Sequence, residues 1–83
     1  MREVFSDFMR LERRSNGTVR VWLGAEQGNP DLKGICDGQR VLVIYPGELQ
    51  AEGTVEHEQH GEWVTWYAIV PSWDTIQDIS SDA

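Results

Sequence analysis

Residues 39–71 read QRVLVIYPGELQAEGTVEHEQHGEWVTWYAIVP, three apolar, strand-like runs separated by two short turns. The first run, Arg40 to Tyr45, is apolar on both sides of a period-2 alternation, with Val41, Val43 and Tyr45 on one side and Leu42 and Ile44 on the other. Such a run needs cover on both faces and is expected in the middle of a sheet. Pro46-Gly47 ends it, because proline cannot donate to a ladder and the pair favours a turn.

The second run alternates cleanly: Leu49, Ala51, Gly53, Val55 and His57 share one face, and Gln50, Glu52, Thr54 and Glu56 the other. A glycine inside it predicts a sharp bend or the close approach of a large neighbouring ring. The tip Glu58-Gln59-His60-Gly61 sets the register of the third run, Glu62 to Val70, since a slip of one residue turns every side chain over. An even loop places Val64, Trp66, Ala68 and Val70 in the core with Ala51, Gly53 and Val55. It leaves Trp63, Thr65, Tyr67 and Ile69 outside with Glu52, Thr54 and Glu56. An odd loop exchanges Trp66 and Tyr67. The even register is adopted here, and whether Trp63 and Tyr67 are exposed or core depends on it.

Upstream, Ser15-Asn16-Gly17 is a hairpin signal, with Gly17 free to take the positive φ of a tight reversal. A three-residue loop pairs Met9 with Leu23, Leu11 with Val21 and Arg13 with Val19 on an apolar face. On the opposite face it sets Glu12 against Arg20 and Arg10 against Trp22, an ion pair and a cation–π pair. Strands are therefore expected over residues 8–14 and 18–24, with residues 1–7 and 80–83 fraying. Residues 25–38 have the glycine- and proline-bearing composition of a loop. Within it Leu32, Ile35 and Cys36 are expected to form a small apolar cap. After Pro71 a helical turn over Ser72–Ile76, capped by Ser72 or Asp74, leads to a closing strand over Thr75–Ile79.

Two hairpins, a long loop, a turn of helix and a short last strand predict an all-β chain. The expected form is a small, strongly bent β-barrel of five to six antiparallel strands, one domain over residues 1–83. From Gly38 to Ile79 the order of elements resembles SH3-like barrels, the group that includes Tudor and KOW modules. The likeness is architectural, and no residue motif carries functional positions across.

The net charge is −7, and it is unevenly placed: residues 1–20 hold five arginines and three acids, residues 21–83 two bases and eleven acids. The acidic body favours a basic partner and disfavours nucleic acid, although solubility alone accounts for such a balance. Cys36 is the only cysteine, so no intramolecular disulfide or zinc-ligand spacing exists, and a cytoplasmic setting is expected. No apolar run approaches membrane-spanning length, and the chain is expected to be soluble.

His57 and His60, with Glu56, Glu58 and Glu62 nearby, could offer metal ligands if both rings met around the hairpin tip. A tip without groups to fix the second ring nitrogens is a poor site, and a solvated loop is the reading adopted. Cys36 has no evident base and reads as a partly buried, small hydrophobe. No phosphate-cradling loop or nucleophile pattern is present, so no enzyme activity, cofactor or metal is expected.

The outer face with Trp63, Tyr67, Glu52 and Glu56 is more informative, because ring quadrupoles beside carboxylates suit lysine and arginine side chains. The function expected is a non-enzymatic interaction module binding a basic segment of a partner protein. Two alternatives stand beside it. One is a small inhibitor or immunity-type protein whose carboxylates imitate nucleic-acid phosphates. The other is RNA or single-stranded DNA binding by the arginine-rich first hairpin with Trp22, which the acidic body opposes.

Overall fold

Seven strands form one sheet in the computed structural model, which describes residues 1–80. They are β1 (Arg2–Phe5), β2 (Leu11–Arg13), β3 (Val19–Gly24), β4 (Arg40–Tyr45), β5 (Leu49–His60), β6 (Trp63–Val70) and β7 (Gln77–Asp78). Two 3₁₀ turns, Pro30–Leu32 and Trp73–Thr75, punctuate the loops. The spatial order is β1-β4-β5-β6-β3-β2, with β7 added to β5. Among the described residues no helix is long and apolar enough to cross a membrane.

The sheet turns about β5. Its first half pairs with β4, its second half with β6, and Thr54 lies in both ladders, opposite Arg40 and opposite Ile69. Gly53 stands just before that junction. A Cβ there would lie 3.1 Å from the Ile69 carbonyl oxygen and 3.3 Å from the Ala68 Cβ. The close neighbour is thus β6, through the Ile69 backbone and the Ala68 methyl group, and not a large ring, the second of the two alternatives read from the sequence.

Alternation along the strands fills the inner side with Val4, Val19, Val21, Val41, Val43, Val55 and Val70, all nearly inaccessible, and with Leu32 from the first 3₁₀ turn. Each such side chain contributes about 1.5–3 kcal/mol on burial. Branched side chains are stiff and suit a pleated surface, so a small chain gains its core at low entropic cost.

The barrel expected from the sequence does not close. β1 and β2 are the two ends of the sheet, and no ladder joins them. Two buried polar side chains bridge the gap instead. Asn29 donates through Nδ2 to the carbonyls of Phe5 (3.0 Å) and Leu23 (3.1 Å), tying β1 to β3. Ser6 Oγ donates to the Trp22 carbonyl at 3.1 Å and accepts the Phe8 N–H. These bonds satisfy main-chain groups that a closing strand pair would otherwise use.

Other expectations change with β1. Residues 2–5 pair in parallel with Val41–Ile44 rather than fraying, with Val4 buried and the Phe5 N–H donating to Asp31 Oδ2. Phe8 then takes a left-handed φ of 56°, which buries its own ring and turns Met9 outward. The expected Met9–Leu23 pair is therefore absent, while Leu11–Val21, Glu12–Arg20 and Arg13–Val19 pair as expected. Leu32 and Ile35 are buried, but Cys36 is exposed. The reason is a tight turn in which the Gln39 N–H donates to the Cys36 carbonyl and the Cys36 N–H to Gln39 Oε1. Ser72 precedes the second 3₁₀ turn without a side-chain capping bond. The closing strand is short, Gln77–Asp78, and of the expected fraying tail residues 81–83 lie outside the described residues.

Candidate functional site

The β5–β6 hairpin has the even register. Its tip is a two-residue turn, and His60 opposes Trp63, His57 opposes Trp66, Glu56 opposes Tyr67 and Val55 opposes Ala68. Even-numbered residues of β5 thus share the outer face with Trp63, Tyr67 and Ile69. Glu52 and Glu56 stand on that face too, but along two different ladders, Glu52 opposite Leu42 and Glu56 opposite Tyr67.

The structure does not bring the four candidate residues into one open patch. Tyr67 is half-buried, and the guanidinium of Arg20 lies 3.5 Å from its ring centroid. Arg20 also binds Glu58 and lies 3.9 Å from Glu12. Glu56 faces Arg14 at 3.9 Å and Glu52 faces Arg40 at 3.3 Å. Three of the four residues thus meet cations of the chain itself, Tyr67 with Arg20, Glu56 with Arg14 and Glu52 with Arg40.

Arg20 anchors this network. Its side chain is only 16 % exposed, and its Nε has no hydrogen-bond partner among the described residues. Burial works against the guanidinium charge, yet the hydrogen bond to Glu58, with the charges of Tyr67, Glu58 and Glu12, raises its pKa further. Reciprocally, the Arg20 hydrogen bond holds the Glu58 carboxyl below the usual carboxylate range, with the charges of Arg20 and His60 adding to it. The carboxylate's second oxygen lies 3.1 Å from His60 Nε2.

Beyond this network the hairpin becomes an arm. β3 pairs with β6 only from Trp66 to Val70, and β4 with β5 only up to Thr54. A turn at residues 36–39 extends that edge by two bonds, the Gly38 N–H donating to the Val55 carbonyl and the Val55 N–H to the Gln39 carbonyl. Asp37 continues it, accepting the His57 N–H at 2.9 Å and meeting His57 Nδ1 at 2.5 Å. That hydrogen bond holds the Asp37 carboxyl below its ordinary value. The His57 ring tilts against Trp66 with centroids 5.5 Å apart. Residues 58–60 and 63–65 pair only with each other and project by roughly 10 Å at the usual strand rise.

Trp63 stands at the end of this arm, 67 % exposed. Of the sequence-selected residues it alone offers a large open surface. His57 and His60 fall on opposite faces of the hairpin, so the two rings do not meet around the tip as the metal reading required. Among the described residues no group of three or more His, Cys, Asp or Glu side chains converges as a cation site.

Sequence reasoning missed Arg20 as the cation over Tyr67 and Asp37 as the partner of His57. Their ring and carboxylate partners come together only through the β3–β6 ladder and the turn beside β5. The Arg10–Trp22 pair, by contrast, is present as read, with the guanidinium 4.5 Å from the ring centroid. Comparison with protein-family models, with curated proteins and with solved structures gave no match.

Proposed function

We propose that the protein is a non-enzymatic interaction module whose β5–β6 arm docks onto a basic partner. Trp63 enters the partner's surface, and the neighbouring Glu62, which faces no arginine or lysine of the chain among the described residues, meets a lysine or arginine side chain there. The observation that carries this reading is an exposed tryptophan at the end of a two-stranded projection. Residues 56–66 around it hold three acids and no lysine or arginine. A ring left in water on an ordered hairpin forgoes a large burial term, and tryptophan is the side chain most enriched at the energetic centres of interfaces.

Glu62 and His60 flank the ring on the tip, whereas Tyr67, Glu56 and Glu52 act indirectly, by keeping the hairpin base stiff through their arginines. The bent β5 shared by two ladders, a 3₁₀ turn and a short last strand support an SH3-like plan left open at the β1–β2 seam. An exposed free thiol at Cys36 suits the reducing cytoplasm.

Fluorescence polarisation against a panel of lysine- and arginine-rich peptides tests the reading. The strongest binder should weaken about 30-fold with Trp63→Ala, the loss typical of an interface anchor. It should weaken further as salt rises from about 0.05 to 0.5 M, where screening shortens the Debye length. Peptide binding that is indifferent to Trp63→Ala sinks the proposal.

A further inference from the structure

The outer face carries a second, oppositely charged feature that the arm does not use. A groove of about 410 Å³ lies between β2 and β3, lined by Met9, Arg10, Leu11, Arg20, Trp22 and Tyr67, with Glu12 on its wall. Arg10 is the unpaired cation of this groove, a state it shares with Arg13, which lies over Trp73 elsewhere. Arg14, Arg20 and Arg40 each face a carboxylate, and Arg2 donates to the carbonyls of Asp31 and Lys33. Among the described residues no carboxylate or carbonyl engages the Arg10 guanidinium. It rests on the Trp22 ring, which itself packs over Gly24.

We propose that this groove binds the free C-terminal carboxylate of a partner peptide that ends in an apolar residue. A guanidinium resting over a ring, with no carboxylate or carbonyl bound to it, keeps its N–H donors available. Its planar fork matches a carboxylate in two parallel hydrogen bonds and loses little entropy on binding. Beside it stands an apolar, adaptable side chain: Met9 lines the groove and is 79 % exposed, set outward by the left-handed turn at Phe8. Flexible thioethers suit the capture of an apolar side chain.

Charge selects a single carboxylate over a polyanion. The net charge of −7 and Glu12 on the groove wall repel a phosphate chain, while one carboxylate meets one unpaired guanidinium. β2 is the last strand of the sheet, so main-chain groups on its outer edge are free to pair with an extended segment. This inference does not depend on the arm, and the two are tested with different variants.

The test is an NMR titration of the full chain at low salt, following the Trp22 indole N–H. The probes are acetyl-Gly-Leu-Phe with a free carboxylate, the same peptide amidated, and adenosine monophosphate. The free acid should shift the Trp22 signal in a saturable way, and the amide should bind at least about tenfold more weakly, the effect of one charge-assisted bond. Arg10→Gln should abolish the difference between acid and amide while the valine methyl signals of the core stay in place. Acid and amide binding equally, or adenosine monophosphate binding as tightly as the acid, overturns the proposal. So does an undiminished acid preference in a folded Arg10→Gln variant.

Discussion

Replacing Gly53 with alanine tests the account of how β5 bends. The new methyl group would stand 3.1 Å from the Ile69 carbonyl oxygen and 3.3 Å from the Ala68 Cβ, each some tenths of an ångström inside ordinary contact. Neither neighbour can retreat cheaply. Ile69 sits in β6 between Thr54 of β5 and Arg20 of β3, and Ala68 is fully buried against Val55 and Val21. Overpacking of this kind costs about 1–3 kcal/mol. Against it, alanine restricts the unfolded chain and returns about 0.4–1 kcal/mol. The net expectation is a loss of about 1 kcal/mol, a fall in Tm of about 4–8 °C for a domain of this size. Thermal melts followed by circular dichroism, with urea titration for the free energy, measure it. Adding Ala68→Gly to the variant removes one of the two contacts and should make the pair non-additive by about 0.5 kcal/mol. An unchanged or higher Tm in Gly53→Ala would show that the two ladders have slack at Thr54, and the argument for a glycine-dependent bend fails.

The remaining predictions concern the seam, the turn at residues 36–39 and the arm. Asn29→Ala leaves the carbonyls of Phe5 and Leu23 without their buried donor, and should cost about 1–3 kcal/mol with faster hydrogen exchange in β1 than in β5. Because Asp37 is depressed below its ordinary 3.8 in the folded state, its contribution is full above that value and disappears as pH falls through the lowered pKa. Asp37→Asn should therefore lower stability at pH 7 and flatten its decline below pH 4, read from urea midpoints across pH. Trp63→Ala should change stability by no more than about 0.5 kcal/mol, since the ring is mostly in water. A larger loss on denaturant titration would mean that Trp63 is packed rather than presented.

Local pattern was enough for those parts of the fold in which neighbours in sequence are neighbours in space. The register of the β2–β3 hairpin followed from side-chain polarity around Gly17, and that of β5–β6 from the alternation of Val55, Val64, Trp66 and Ala68. β1 was not legible for the converse reason. Four residues with one inward apolar side chain, Val4, carry no period, and their partner strand begins at Arg40. Nor does any residue type announce the left-handed turn at Phe8, where the Ser6 hydroxyl and the Asp7 carboxylate accept the N–H groups of Phe8 and Met9. The site was half legible in the same way. Placing Trp63, Tyr67, Glu52 and Glu56 on one face needed only the register. Knowing that Arg20 covers Tyr67 needed the β3–β6 pairing, and its bond to Glu58 spans 38 positions of sequence.

That pairing decides which parts of an acidic chain are left to act outwardly. Three arginines are drawn into carboxylate contacts across β2, β3, β4 and β5, and a fourth holds the first 3₁₀ turn to β1. Each internal pair removes one cation from the surface and fixes a carboxylate that a partner would otherwise meet. Two arginines escape this arrangement, Arg10 and Arg13, and both lie over tryptophan rings, Trp22 and Trp73, rather than beside acids. A ring positions a guanidinium without neutralising it, whereas a carboxylate does both. The outer face is therefore unevenly charged: an arm ends in Trp63, and beside its base, across β3, an uncompensated guanidinium lies near Met9. If both proposals hold, the two ligands would carry opposite charge and lie on either side of Arg20, whose ion pairs with Glu12 and Glu58 separate the free guanidinium from the arm.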